Sequence, residues 1–161
     1  MKRLFFLLSL TTVLAQAGVL EGARCIAPAK PGGGFDLTCQ LARSALQEAG
    51  LTQVPLSIVY QPGGIGALAF KSAVTQRLTD SHAIVAFSSG SLLNLAQGRF
   101  GPYMSRDVRW IASLGLDYGV IAVRQDAPFK TLAQLVSALR ETPNRIVFGA
   151  GGPIGSQDWM K

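Results

Sequence analysis

The sequence predicts an α/β fold with a largely parallel sheet, because short apolar runs of strand length alternate with runs of helical periodicity. The composition fits a globular domain, since 48% of the residues are hydrophobic and 15% are charged. Glycine-rich loops stand between a strand-like run and a helix-like run at four places. These loops occupy residues 31–36, 62–66, 88–91 and 149–156.

Six apolar runs are predicted as strands. Residues 56–60 alternate as a strand does, and residues 82–87 form an apolar run typical of a buried strand. In chain order the predicted strands cover residues 24–29, 56–60, 82–87, 108–114, 120–124 and 145–149. A second strand–helix–strand series begins near residues 117–119, where we expect a domain boundary.

The first predicted helix follows the first glycine loop. Apolar residues recur there at helical spacing, at Leu37, Leu41, Ala45 and Ala49. Gly50 is a natural stop, and Asp36 stands where an N-cap residue belongs. The pattern therefore predicts a helix between these two residues.

Four further helices are predicted downstream. Two short ones cover residues 67–74 and 92–97, and a capping box from Thr131 to Gln134 opens a third that extends to about Arg140. Residues 156–161 read as a helix barely begun, with no stop signal. We therefore expect the sequence to be a fragment, about half of a longer protein.

The N-terminus has the pattern of a secretory signal peptide. A basic start, Met1–Arg3, precedes an apolar run over residues 4–13 and a small-residue cleavage pattern at residues 15–17. The apolar run is shorter than the ~20 residues of a membrane-spanning helix. Residues 1–17 are therefore predicted to be removed on export.

The two cysteines, Cys25 and Cys39, lie in an exported chain, where a disulfide is permitted. Cys25 stands near the start of the first predicted strand and Cys39 in the first turn or so of the next helix. A strand length of roughly 13 Å would then separate them, whereas a disulfide needs Cα atoms within about 7 Å. We therefore predict two free, partly buried thiols.

Charge and metal-ligand content exclude some classes of partner. The formal net charge is +6, and without Lys2 and Arg3 the basic residues number 13 against 9 acidic residues, a net charge of +4. The excess is scattered, unlike the basic stripe of a nucleic-acid-binding protein, so no nucleic-acid partner is expected. One histidine and no C-x-x-C motif make a metal site unexpected.

Each glycine loop could present backbone N–H groups to an anion. The first turn of a helix has N–H groups without an intrahelical acceptor and a partial positive charge, and glycine lets a ligand approach the backbone. None of the loops has the lysine of a P-loop, a complete G-x-G-x-x-G or a G-x-S-x-G motif. For any single loop, a tight turn without ligand is the expected interpretation. Because the chain has four such loops, we expect several of them to converge on one small, multiply charged ligand.

Three long motifs resemble the Bug-type periplasmic solute receptors, and in particular their tricarboxylate-binding branch, which serves tripartite tricarboxylate transporters. The motifs are residues 25–39 (CIAPAKPGGGFDLTC), 85–95 (VAFSSGSLLNL) and 149–161 (GAGGPIGSQDWMK). The resemblance implies a two-lobe Venus-flytrap fold of which only the N-terminal half is present. Residues 18–117 would belong to the first lobe and residues 118–161 to the start of the second.

The resemblance also implies the function. Such a receptor binds a small di- or tricarboxylate, citrate-like in this branch, and delivers it to the membrane subunits of the transporter, without catalysis or a cofactor and as a monomer. The implied ligand-binding residues are Lys30, Gly32, Gly33, Gly34, Phe35, Asp36, Gly64, Ser88, Ser89, Gly90, Ser91, Gly151, Gly152, Ser156 and Gln157.

Several of these residues have a second interpretation from the sequence alone. Asp36 could accept a hydrogen bond from a ligand hydroxyl or cap its helix, and the capping role is the expected one. Lys30 could contact a carboxylate or be solvated, and Ser156 could donate to the ligand or cap a helix. These alternatives stay open in the sequence.

Two other functions are compatible with the residues. An exported α/β hydrolase or phosphate-ester enzyme could have its catalytic residues outside this sequence, and a G-x-S-x-G motif or a histidine–carboxylate pair there would favour it. A binding module that feeds a sensor instead of a transporter is the third possibility.

Overall fold

The computed structural model describes residues 20–75, 82–116 and 118–160. The predicted signal peptide, residues 1–17, lies outside the described residues, as does Asp117 at the expected domain boundary. Within the described ranges, no helix is both long enough and apolar enough to cross a membrane.

A three-stranded parallel sheet forms the centre of the fold. Its strands are β1 (Arg24–Ala27), β2 (Ser57–Tyr60) and β3 (Ala83–Val85), in the order β2-β1-β3. Both neighbouring pairs are parallel. The prediction of an α/β fold with parallel strands is therefore confirmed for this part of the chain. The carboxyl ends of all three strands lie at one edge of the sheet.

Among the described residues, five α-helices accompany the sheet, and three short 3-10 turns, at residues 64–66, 105–107 and 143–145, lie in the connections. The helices are α1 (Gly34–Glu48), α2 (Ala67–Thr75), α3 (Ser89–Ala96), α4 (Leu132–Glu141) and α5 (Gln157–Met160). All five predicted helices are confirmed, with ends that shift by up to a few residues.

The capping box predicted for α4 is present. The Gln134 N–H donates to the Thr131 hydroxyl oxygen at 3.2 Å, and the Thr131 N–H donates to the Gln134 side-chain oxygen at 3.2 Å. Each side chain therefore accepts a hydrogen bond from the other residue's backbone N–H, which would otherwise lack an acceptor at the start of this helix.

The spacing that predicts α1 does not give its orientation. Leu37 and Leu41 are 59% and 48% exposed, and α1 turns Cys39 and Ala42 into the core instead. The inward-facing residues also recur at helical spacing, so the sequence contains two apolar stripes. The covalent link at Cys39 fixes which stripe faces the sheet.

The prediction of two free thiols is wrong: Cys25 and Cys39 form a disulfide, with their Cα atoms 5.6 Å apart. β1 ends at Ala27, so Cys25 lies only about 7 Å along the strand from its end. Cys39 lies about 7–8 Å along α1 from the helix start at Gly34. Because α1 folds back along β1, Cys25 and Cys39 lie at about the same distance from the connecting loop and therefore side by side.

The three strands predicted after residue 107 are also wrong, because residues 108–114, 120–124 and 145–149 contain no strand. Val120 and Val147 are 85% and 92% exposed. An apolar run becomes a strand only when a neighbouring strand accepts and donates its backbone hydrogen bonds. No strand of the described residues pairs with these runs.

In the part of the chain that the structure describes, two apolar clusters pack α1, α2 and α3. One lies between α1 and the sheet and contains the disulfide together with Ala27, Ala42 and Ala86. The other is built around Phe70 of α2. The ring of Phe70 lies 5.7–6.1 Å from three other aromatic rings, those of Phe87, Phe100 and Tyr103.

Candidate functional site

The first three glycine loops follow the three parallel strands and therefore lie at one edge of the sheet. The chain leaves β1 for β2 on one side and later reaches β3 on the other side. In open α/β sheets, ligands bind at the carboxyl edge where the strand order reverses in this way. The loops after β1 and β3 flank that point.

The first loop leads into α1 and exposes its positive end. The first helical hydrogen bond runs from the Leu37 N–H to the Gly33 carbonyl at 3.0 Å. The N–H groups of Gly34, Phe35 and Asp36 precede this bond and have no acceptor within the helix. Gly33, the N-cap, supplies no side chain to satisfy them. Gly34 is exposed, so an anion can approach these amides.

Asp36 is not the N-cap, so that prediction is wrong; it lies in the first turn of α1. Its carboxylate accepts hydrogen bonds from the Gly32 N–H at 2.7 Å and from the Tyr60 hydroxyl at 2.9 Å. Only 3% of Asp36 is exposed. The carboxylate therefore supports the first loop from the inside and connects it to the end of β2.

These hydrogen bonds fix the charge of the pair. They lower the pKa of Asp36, with the Gly32 N–H as the largest cause, followed by the side chains of Gln40 and Tyr60. Donation to this carboxylate raises the pKa of Tyr60. Asp36 is therefore ionised at neutral pH and its Tyr60 partner is protonated.

The second loop has an unusual backbone. Four of its five residues, Gly63, Gly64, Ile65 and Gly66, have φ values of 149°, 57°, 56° and 96°. This left-handed region is strained for a β-branched residue, at a cost on the order of 1–3 kcal/mol, so Ile65 must be held there by its surroundings. The Ser91 hydroxyl donates to the Ile65 carbonyl at 2.7 Å.

The third loop uses two of its three predicted serines for its own structure. Ser88 is the N-cap of α3, and its hydroxyl oxygen accepts the Ser91 N–H at 3.1 Å. Ser91 is fully buried and donates to the second loop. Ser89 is exposed, and its N–H precedes the first helical bond, from Leu92 to Ser88. Ser89 is therefore the serine best placed to meet a ligand.

The fourth loop packs against α3. The Asn94 amide donates to the Gly155 carbonyl at 2.8 Å and to the Gly90 carbonyl at 2.8 Å. Gly90 lies directly against Gln157. The Ser156 hydroxyl oxygen accepts the Trp159 N–H at 3.3 Å, which is the capping role that the sequence left open.

The structure thus joins the second, third and fourth loops through side chains of α3. The first loop is tied to the end of β2 instead, and Lys30 on it is exposed. Gly64 and Gly151 are exposed, and Gly152 is half-buried. The binding role of the predicted site residues stays a prediction.

Sequence reasoning missed three residues that shape the site: Tyr60, Ile65 and Asn94. Asn94 had a usable signal, because an amide inside the run Leu92–Ala96 must find a buried partner. The contact of Tyr60 with Asp36 spans 24 residues, and the left-handed Ile65 depends on Ser91, so neither has a local signal.

One cavity among the described residues lies apart from this site. A shallow cavity of about 340 Å³ beside α4 is lined by residues such as Phe129, Ala138 and Ile146, none of which belongs to a glycine loop. No group of three or more His, Cys, Asp or Glu side chains in the described part of the chain could hold a metal ion.

The stability contributed by the Asp36 carboxylate is expected to depend on pH. Because folding lowers its pKa, the contribution is complete above the ordinary aspartate pKa of 3.8 and is lost as the pH falls through the folded value. Asp36→Asn should therefore lower the urea midpoint at pH 6, and the difference from the wild type should shrink toward pH 3.

Urea titrations of both proteins at several pH values measure this difference. Asp126→Asn is the matched control, because the Asp126 carboxylate is exposed and its ion pair with Arg124 is solvated. A gap between wild type and Asp36→Asn that stays constant from pH 6 to pH 3 would contradict the role assigned to the Asp36 charge.

One curated protein is similar to the chain. The UPF0065 protein in the tcbD-tcbE intergenic region of Pseudomonas sp. (strain P51) is 27% identical over 128 residues, which cover 79% of this chain and 37% of that protein. No protein-family model and no solved structure matches the chain. This distant similarity supports a relationship to the Bug-type solute receptors.

Proposed function

We propose that this chain is the N-terminal part of an exported receptor that reversibly binds a small di- or tricarboxylate, citrate-like in charge and size. The observation that carries the proposal is the position of two helix starts, those of α1 and α3, in the loops that follow the neighbouring parallel strands β1 and β3. Both helices begin with amides that have no intrahelical acceptor.

A ligand with several carboxylates suits this arrangement. One carboxylate can accept from the amides of Gly34 and Phe35, and another from the amide and hydroxyl of Ser89. Neutral donors with the partial charge of a helix start favour anions without a buried arginine. The fixed Asp36 charge opposes a ligand placed too deep, so the carboxylate oxygens lie outside the loop.

The proposal extends to the whole protein. Residues 18–117 belong to a first lobe and residues 118–161 to the beginning of a second, in a receptor that closes around its ligand. It works in the periplasm as a monomer and delivers the carboxylate to the membrane subunits of a tripartite tricarboxylate transporter. Binding and release involve no covalent step, so the protein is a receptor and not an enzyme.

The test is a thermal shift measurement on the full-length protein with citrate, aconitate, succinate and phosphate. A ligand that binds the folded state stabilises it by about 2.7 kcal/mol at one hundred times its Kd, so citrate or aconitate should raise the Tm by several degrees. If no carboxylate of the panel shifts the Tm, the receptor proposal is contradicted. A shift with phosphate alone favours a phosphate-ester ligand.

Ser89→Leu locates the ligand. Because Ser89 is exposed, the substitution should change the free energy of unfolding by less than about 0.5 kcal/mol, while the leucine side chain blocks the start of α3. We expect citrate affinity measured by calorimetry to fall at least tenfold. Ser137→Leu, at an exposed position of α4, is the matched control. Unchanged affinity in Ser89→Leu would remove the third loop from the site.

A further inference from the structure

One face of α3 is polar and buried, which is unusual for a short helix of apolar sequence. Ser91 and Asn94 are 0% and 3% exposed, and Gly90 on the same face is also buried. Leu92 and Leu93, in contrast, are 41% and 45% exposed. The helix thus buries Ser91 and Asn94 beside Leu95, which packs in the second apolar cluster, and turns two leucines outward. Part of its inner face therefore serves polar contacts.

The buried amide of Asn94 is completely used. Its two N–H groups donate to the carbonyls of Gly90 and Gly155, and its oxygen lies 3.4 Å from the Arg99 guanidinium. Burying an amide is costly unless its hydrogen bonds are made, so this side chain depends on the fourth loop and holds it in return.

Gly90 permits the close approach of the same loop. A Cβ atom at this position would lie 2.9 Å from the Gln157 Cβ, 3.1 Å from its Cα and 3.2 Å from its backbone nitrogen. Two of these three atoms belong to the backbone, so no rotamer change of Gln157 could make room. A side chain at position 90 must push the start of α5 away from α3.

We infer that Gly90 and Asn94 form a seat on α3 that positions the fourth loop and the first residue of α5, Gln157, and that carboxylate binding requires the loop to be seated. Both are positioning residues, and neither needs to touch the ligand. The inference rests on the proposed function, because it assigns these two residues a role in the same site. It differs from the resemblance-based expectation, which counted Gly90 among the ligand contacts.

The experiment is Gly90→Ala in the full chain. Alanine is a better helix former than glycine by about 1 kcal/mol, so α3 should be kept while the fourth loop is displaced. We expect faster hydrogen–deuterium exchange in peptides covering residues 151–157 without ligand, and at least a tenfold loss of citrate affinity. Leu93→Ala, on the exposed side of α3, should change neither.

Asn94→Leu is the second variant. It removes both donors while keeping a side chain of similar size, so the same two readouts should change in the same direction. If hydrogen–deuterium exchange over residues 151–157 is as slow in Gly90→Ala as in the wild type, the inference that Gly90 positions these residues is contradicted. Faster exchange with unchanged citrate affinity would overturn the link to binding. If the wild type binds no carboxylate, the proposed function fails, and the exchange data alone decide whether the seat exists.

Discussion

Replacing Cys25 and Cys39 together by alanine is expected to lower the free energy of unfolding by about 2–5 kcal/mol. The disulfide closes a ring with a sequence separation of 14 residues, and cross-linking a ring of about 15 residues removes roughly 3 kcal/mol of chain entropy from the unfolded state. The two cysteines are also almost fully buried, at 2% and 0% exposed, so packing is lost as well. Urea unfolding without reductant measures the effect.

Reduction provides the control for this prediction. Dithiothreitol should bring the urea midpoint of the wild type down toward that of the double variant, and should leave the variant unchanged. Two titratable thiols in the wild type, unfolded without reductant, would show that the disulfide is absent and would contradict the prediction.

Phe70→Ala is expected to cost about 3–5 kcal/mol, because it removes the ring at the centre of the second apolar cluster. Phe70 is 3% exposed and contacts three other aromatic rings. The cavity would loosen α2 against α3, and with it the contact between Ile65 and Ser91. Urea unfolding measures the loss.

Phe148→Ala is the matched control for the aromatic cluster. Phe148 is 59% exposed, so the same change in side-chain chemistry should cost less than about 0.5 kcal/mol. Equal losses in the two variants would mean that the second cluster contributes no special stability.

Local patterns in the sequence predicted the early elements well, and the physical reason is that these elements are decided locally. Apolar runs of strand length, each followed by a glycine loop, predict β1, β2 and β3. The capping box at Thr131 predicts the start of α4. The bonds from Ser91 to Ile65 and from Asn94 to Gly155 join three of the four glycine loops, and the convergence of the loops on one ligand stays a prediction.

What the sequence did not predict depends on long-range geometry. The disulfide requires knowing that α1 folds back along β1, and the role of Asp36 requires knowing that Tyr60 ends the neighbouring strand. The three later strands failed for a related reason, since an apolar run cannot pair alone. Periodicity also could not choose between the two apolar stripes of α1.

The covalent ring between residues 25 and 39 encloses the whole first glycine loop, so the way the protein is produced decides what a binding assay measures. Chains made in a reducing compartment lack the sulfur–sulfur bond unless they are oxidised during purification. In such a preparation the first glycine loop is no longer closed by a covalent bond, and ordering it around a ligand costs more conformational entropy. Affinities are therefore comparable only between samples of known oxidation state.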